Sequence, residues 1–475
     1  MLTDETLFSS IKELASQVRA RKISPVELTE LSLHRLESIG PRLAAVAFVM
    51  RESALKQALA AEDEIRKGHY RGPLHGIPYG AKDLLSTRDA KTTWGAAPFK
   101  DQQLKDDATV IQRLRNAGAI LVAKLAMIEL AGGMGYNEAD ASLTGACRTP
   151  WNTDFWSGGS SSGPGAAVAA GLVSFAIGSE TSGSIITPSA FCGVTGLRPT
   201  YGAVSRHGAM ALSWTLDKLG QICHNASDCE IVYQAIAGHD SLDPTSKDSR
   251  SYTPPGRLNF LSRRDKDGAV LAVMKDSYEK AQPEVRENFL RALDVIKRVT
   301  NIRIEMDVKL PDFPYGPVVG TIVDAEGASA FRDLIESGRV NELASPSGRV
   351  GGYSASLVTA VDYLHAMRMR APMRRAWNEM FSKYQILAAP SRASVAYPIN
   401  KTFDNAYPGL GASSPIGASN LVGVPAISVP NGFGQNNLPT GIQFIGPAWS
   451  ESTLIDVANQ YQKETDWHKR RPVLH

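Results

Sequence analysis

Little in the 475-residue sequence points to a secreted, metal-binding or nucleic-acid-binding protein. There are four cysteines, Cys147, Cys192, Cys223 and Cys229, and none forms a CxxC pair. Neither a zinc knuckle nor a disulfide framework is indicated, and a reduced, cytoplasmic setting is expected. No stretch approaches 18 uninterrupted apolar residues, and the opening MLTDETLFSS lacks the charged-then-apolar order of a signal peptide, so no membrane partner is expected. Lys and Arg number 51 against 48 Asp and Glu, a net charge of +3 with no basic run long enough for nucleic acid. GxxxxGK[ST] is absent and no GxGxxG follows a strand pattern, which leaves a nucleotide cofactor without a loop to hold it. None of the nine histidines sits in a motif that marks a catalytic base.

What remains is ordinary for a soluble globular chain: 43% hydrophobic and 21% charged residues. Residues 1–70 read as an N-terminal helical region, with Ser24-Pro25 supplying an N-cap and a first-turn proline. From residue 71 the texture changes to short apolar runs bounded by Gly and Pro: 73–85, 119–125, 384–390, 424–430 and 441–446. These read as buried strands, and VIQRLRNAG between the first two reads as a helix. Ala166–Ile177 reads as a small-residue helix, and about 240–380 as a charged helical insertion with proline-rich joins near 253–255 and 311–317. No linker divides the chain, so 71–475 is expected to form one α/β domain with 1–70 packed on it.

Two hydroxyl-rich loops stand out, GGSSSGPG (158–165) and GSETSGS (178–184). Tight turns with locally bonded serines would account for one such loop. Two in succession, separated by an apolar run, also fit close backbone approach to a ligand and a nest of N–H groups. A serine nucleophile is a third reading. Gly159–Gly163 satisfies GxSxG with Ser161 in the nucleophile slot, but that elbow needs a preceding strand, and RTPWNTDFWSG is polar and proline-bearing. A serine here needs another base, and Lys82 in GIPYGAKDLL is available at the end of a buried strand. A lysine is usually a solvated surface charge. Burial disfavours its charged form and makes it a usable base, provided Asp83 points to the opposite face.

GIPYGAKD, GGSSSGPGAAVAAG and SETSGSIITPSAFCGVTGLRPTYGAVS, with NLVGVPAISVP and LPTGIQFIG later, resemble the signature blocks of the amidase signature family. The resemblance covers about 73–230 and 384–455. It implies a large α/β/α domain around a mixed, twisted sheet and serine hydrolysis by a Ser–cis-Ser–Lys triad. On matching motif positions Lys82 is the base, Ser160 the cis-serine relay and Ser184 the nucleophile. The backbone N–H groups of Thr181, Ser182, Gly183 and Ser184 form the implied oxyanion hole. No cofactor or metal is implied.

This chain departs from the family pattern at Ser182, where glycine is usual, and at Ile186, where arginine is usual. Ser182 would perturb the loop if its position needs positive φ, and Ile186 makes the neighbourhood more apolar. Met127, Gly132, Gly133 and Met134 are candidates for the acyl pocket. Arg206 and His207 lie in a glycine-punctuated segment, 201–213, read either as a mobile cover or as a plain surface loop. The expected substrate is a neutral aryl or hydrophobic amide, a carbamate or an ester, handled by a monomer or homodimer without nucleic acid. Two rival readings are the glutamine-hydrolysing subunit of a tRNA-dependent amidotransferase and a non-catalytic binding protein on the same fold.

Overall fold

A run that is apolar throughout has no polar face to leave in water, so the strands it forms are covered on both sides. In the computed structural model, which describes residues 2–247, 269–411 and 413–474, five such runs join six further segments in one mixed sheet of eleven strands. They are β1 (Val46–Val49), β2 (Pro78–Lys82), β3 (Ile120–Leu125), β4 (Phe175–Glu180), β5 (Thr195–Arg198), β6 (Lys218–Cys223), β7 (Val270–Met274), β8 (Arg303–Val308), β9 (Ile386–Pro390), β10 (Ala426–Phe433) and β11 (Pro439–Ile445). Their order across the sheet is β1-β3-β2-β4-β6-β5-β10-β11-β9-β7-β8. β2 is parallel to β3 and β4, and β7 to β8 and β9. The remaining pairs are antiparallel.

Successive strand residues point to opposite faces, and the two faces carry separate cores. Phe175 and Ile177 of β4 pack with Leu14, Cys229, Phe289 and Leu454, which come from the helices Ile11–Arg19, Ala226–Ile236, Pro283–Val299 and Glu451–Lys463. Ala176, between them, packs with Leu33, Ala58 and Ala167 of the helices Pro25–Ser38, Arg51–Arg66 and Ser162–Ala169. Farther along, Leu387 and Ala389 of β9 meet Ile322, Trp377 and Leu421 of the helices Tyr315–Ala330, Ala360–Lys383 and Ile416–Val422. The result is the three-layer α/β/α arrangement the resemblance implies.

Three details differ from the sequence reading. Residues 1–70 are helical as read, with the Ser24 hydroxyl accepting from Val26 N at 3.0 Å, but they also contribute the edge strand β1. The span 240–380 is not purely helical, since it supplies β7 and β8. β8 hides in the sequence because it is an edge strand, where Arg303, Glu305 and Asp307 can remain in solvent. The expected helix over 166–177 instead ends at Ala169, and Gly171 with φ +60° turns the chain into β4. Small apolar residues suit either element, so composition could not separate them. The proline join at 253–255 lies outside the described residues.

Trp377 shows what holds the far end of the sheet. Its ring is fully buried and its Nε1 donates to Tyr315 Oη at 2.9 Å, tying two long helices together. Trp377→Ala is expected to lower the unfolding free energy by about 3–5 kcal/mol. Urea unfolding checks this, and a loss below about 1 kcal/mol would show that the site collapses freely.

Candidate active site

β2 delivers Lys82 into the interior, where its side chain is fully buried. Nζ donates to Ser160 Oγ at 2.7 Å and to Ser179 Oγ at 2.9 Å, and no carboxylate forms an ion pair with it among the described residues. Burial pushes its pKa down to about 7, opposed only in part by the charges of Asp217 and Glu180. Asp83 turns to the opposite side of the strand. Its Oδ1 lies 2.9 Å from Lys124 Nζ, and its Oδ2 accepts from Thr93 N at 3.0 Å.

Ser160 follows a cis peptide bond from Gly159. Its neighbour Ser161 stitches the two hydroxyl loops together. Ser161 Oγ donates to Ser179 O at 3.1 Å and accepts from Ser179 N at 3.3 Å, while Ser161 N donates to Ser184 O at 3.3 Å. Ser184 stands in the turn between β4 and the buried helix Ile186–Cys192. Its hydroxyl does not bond Ser160 in this arrangement. Among the described residues, the N–H groups of Thr181, Ser182, Gly183 and Ser184 donate to no protein acceptor. Gly183 takes φ +95°, a conformation that favours glycine, whereas Ser182 lies outside the left-handed region. A serine at 182 therefore costs the loop nothing in backbone terms.

Glu180 anchors this turn from below. Its Oε2 accepts from Ile185 N at 2.8 Å and Ile186 N at 3.0 Å. Its Oε1 accepts from Arg198 Nη1 at 2.9 Å and Asn420 Nδ2 at 2.7 Å. Burial alone would raise this carboxyl, but Arg198, Asn420 and the two backbone donors outweigh it and hold the pKa below the ordinary value. Thr181 is fixed separately, its hydroxyl donating to Asp217 Oδ1 at 2.6 Å. Lys218, in register with Glu180 on β6, is also buried, and that burial pushes its pKa well below the ordinary lysine value.

The reading from sequence missed Ser179, Glu180, Arg198, Asp217 and Asn420. All but Asp217 stand inside the recognised blocks, yet no spacing says that residues 240 positions apart, such as Glu180 and Asn420, will touch. The proposed pocket residues divide. Arg206 and His207 line a cavity of about 180 Å³, together with Leu84, Ala131, Thr181 and Met210. Met127 and Met134 are core residues, and Met134 packs against Gly352. Gly132 and Gly133 form the turn above it, at φ +88° and −66°. Ile186 joins Leu216 and Ile416 in the core, so it does not bear on the polarity of the cavity.

The mobile-cover reading of 201–213 does not fit. Asp217 Oδ2 accepts from Leu212 N and Ser213 N, both at 2.9 Å, and Glu326 accepts from the Ser213 hydroxyl and from Thr215 N at 3.2 Å. Arg206 donates to Trp214 O and to Thr245 Oγ1. A segment pinned by this many partly buried bonds is a fixed wall.

A family model described as Amidase matches residues 27–455. A glutamyl-tRNA(Gln) amidotransferase subunit from Acinetobacter baumannii is 34% identical over 98% of this chain and 98% of its own length. Peptide amidase from Stenotrophomonas maltophilia superposes with a TM-score of 0.83 at 29% identity over 98% of both chains. A chain from a vestigial protein complex, described as revealing the origins of an s-triazine catabolic enzyme, superposes at 0.86 with 26% identity over 96% of this chain and 98% of that one. The amidotransferase relative corrects one expectation. A monomer or homodimer acting on a free small molecule, with no nucleic acid involved, is not what a match to a protein named for glutamyl-tRNA(Gln) supports. The charge balance of one chain reports its own field and nothing of the other members of an assembly.

Arg198 and Glu180 are both fully buried. Arg198→Met is expected to cost about 3–5 kcal/mol of stability, because it leaves the Glu180 charge unpaired. Adding Glu180→Gln should recover part of that loss. Chemical denaturation of the single and double variants checks this, and purely additive losses would contradict the coupling.

Proposed function

The chain belongs to the amidase signature family of enzymes acting on amide C–N bonds, and on that premise we propose that it works through a seryl acyl-enzyme, with Ser184 as nucleophile, Ser160 as relay and Lys82 as base. The observation that carries this is the 2.7 Å bond from a fully buried Lys82, held near neutrality by its surroundings, to the hydroxyl after the cis bond. Neutral Lys82 takes the Ser160 proton, and Ser160 takes that of Ser184 once the Ser184 hydroxyl rotates toward it. Ser184 Oγ attacks the carbonyl carbon. The unpartnered N–H groups of 181–184 receive the developing oxyanion, where losing one donor typically costs about 3–4 kcal/mol. The relayed proton goes to the leaving nitrogen, and water then releases the acyl group.

For the amide itself, glutamine is the first reading, with the chain serving as the amide-hydrolysing member of a larger assembly. The full-length 34% identity to the amidotransferase relative supports it more than any feature supports a neutral aryl amide. One observation favours a second reading. The cavity beside Thr181 carries Leu84, Ala131, Met210, Leu212 and Leu219 alongside Arg206, His207, Asp217 and Asp243, a largely apolar surface suited to an uncharged amide or carbamate. Comparing kcat/KM for glutamine with that for a neutral aryl amide and an aryl carbamate decides between them, and glutamine is expected to lead.

Ser184→Ala is expected to abolish turnover and fluorophosphonate labelling with the fold intact. Turnover within tenfold of the parent would remove Ser184 from the role. Lys82→Ala should lower kcat by several orders of magnitude, and Lys82→Arg should fail as well, since guanidinium stays protonated. With a pKa near 7, the free base is scarce below that pH and dominant above it. The kcat/KM profile should therefore rise about tenfold per pH unit below pH 7 and level off on the alkaline side. A profile that falls above pH 7 would contradict the lysine base.

A further inference from the structure

A second cavity, of about 290 Å³, opens beside the loop 390–414 and belongs to none of the groups discussed so far. Its lining is unlike that of the apolar cavity. Arg392, Ser394, Tyr397, Ser413, Ser414 and Asp404 contribute polar atoms. The Arg392 guanidinium has no carboxylate within ion-pair distance among the described residues. One Nη donates to Tyr397 Oη at 2.7 Å, and its Nε is buried without a partner. The hydroxyls of Ser394 and Ser413 also bond no protein group among the described residues. Asp404 stays at the exposed rim, where it accepts from Asn137 Nδ2 at 2.9 Å. A half-buried guanidinium over the Phe191 ring, with one phenol acceptor and no anion among the described residues, leaves donors unpaired in a cavity that also holds free hydroxyls.

Two chains of contact lead from the walls of this cavity toward the serine loops, each through one buried side chain, Ile416 or Trp156. Ser414 stands two residues before Ile416, and a Cβ at Gly183 would lie 3.2 Å from Ile416 Cγ2. On the other side Tyr397 stacks on Trp156 with centroids 6.2 Å apart, and a Cβ at Gly159 would lie 2.6 Å from Trp156 Cζ2. We infer that the Arg392 cavity is a subsite for a carboxylate carried by the substrate, with Arg392 as a specificity-determining residue. A planar carboxylate matches the fork of guanidinium donors and leaves room for the serine hydroxyls at its second oxygen. The inference deepens the glutamine reading and rests on it only for placing the reacting amide at Ser184.

Binding to Ser184→Ala protein tests the subsite without catalysis. Titration calorimetry with glutarate should show binding, and adding Arg392→Met should weaken it roughly 10–100-fold, the range of charge-assisted bonds. Unchanged glutarate affinity in that double variant, no glutarate binding at all, or tighter binding of inorganic phosphate than of glutarate would each overturn the assignment. If Arg392→Met does not fold, Arg392→Lys keeps the charge but not the fork. It should weaken glutarate severalfold, and parental affinity would overturn the proposal. In the active enzyme the kcat/KM ratio of glutaramate over butyramide should exceed one and fall toward one in Arg392→Met, mainly through KM. A ratio that the substitution leaves unmoved would also overturn it. Loss of turnover on every amide, with glutarate binding retained, would sink the hydrolase reading and leave the subsite standing.

Discussion

The proposed chemistry depends on one lysine being kept out of water with no carboxylate in ion-pair contact among the described residues. Lys82 is enclosed on every side, and its two bonding partners are serine hydroxyls. Any carboxylate paired with it would restore the ammonium and remove the base. The adjacent Asp83 is the obvious threat, and strand geometry removes it. Successive side chains alternate, so Asp83 meets Lys124 on the far side of β2, where two buried opposite charges satisfy each other. The position of Lys82 thus relies on a second lysine that takes no part in the chemistry.

The nucleophile turn is built on the opposite principle. There a carboxylate is buried with full compensation, because Glu180 meets Arg198, Asn420 and two backbone donors. A half-satisfied network in this position would be expensive, whereas a complete one fixes geometry. With Oε2 committed to the N–H groups of Ile185 and Ile186, the preceding N–H groups of 181–184 have no protein acceptor among the described residues. Thr181 is held from another direction by Asp217, which also fastens the wall segment through Leu212 and Ser213. One carboxylate therefore couples the 181–184 turn to the cavity beside it.

The site is a junction of distant pieces. β2 brings the lysine, the loop before the helix Ser162–Ala169 brings the cis serine, and the end of β4 brings the nucleophile turn. These stand together because β2 and β4 are parallel neighbours, which places both carboxyl ends at the same edge of the sheet. The two cavities differ in character, one largely apolar against Thr181 and one polar around Arg392.

The sequence by itself determined five of the eleven strands (β2, β3, β9, β10 and β11), the family and the three residues to which the reaction is proposed to fall. Apolar runs bounded by Gly and Pro are local signals, and the hydroxyl loops are contiguous motifs, so both survive in one dimension. It left β1, β5, β6, β7 and β8 unread, β8 because an edge strand needs no apolar alternation, and it ran the helix after Ser160 into β4 because small residues fit several elements. Tertiary structure alone decided which buried charges pair: Asp83 with Lys124, Glu180 with Arg198 and Asn420. It also decided that 201–213 is a wall and that Arg392 has no carboxylate partner among the described residues. Such pairings join residues tens to hundreds of positions apart, and electrostatic energy in a dry interior depends on distance through space, which no local pattern encodes.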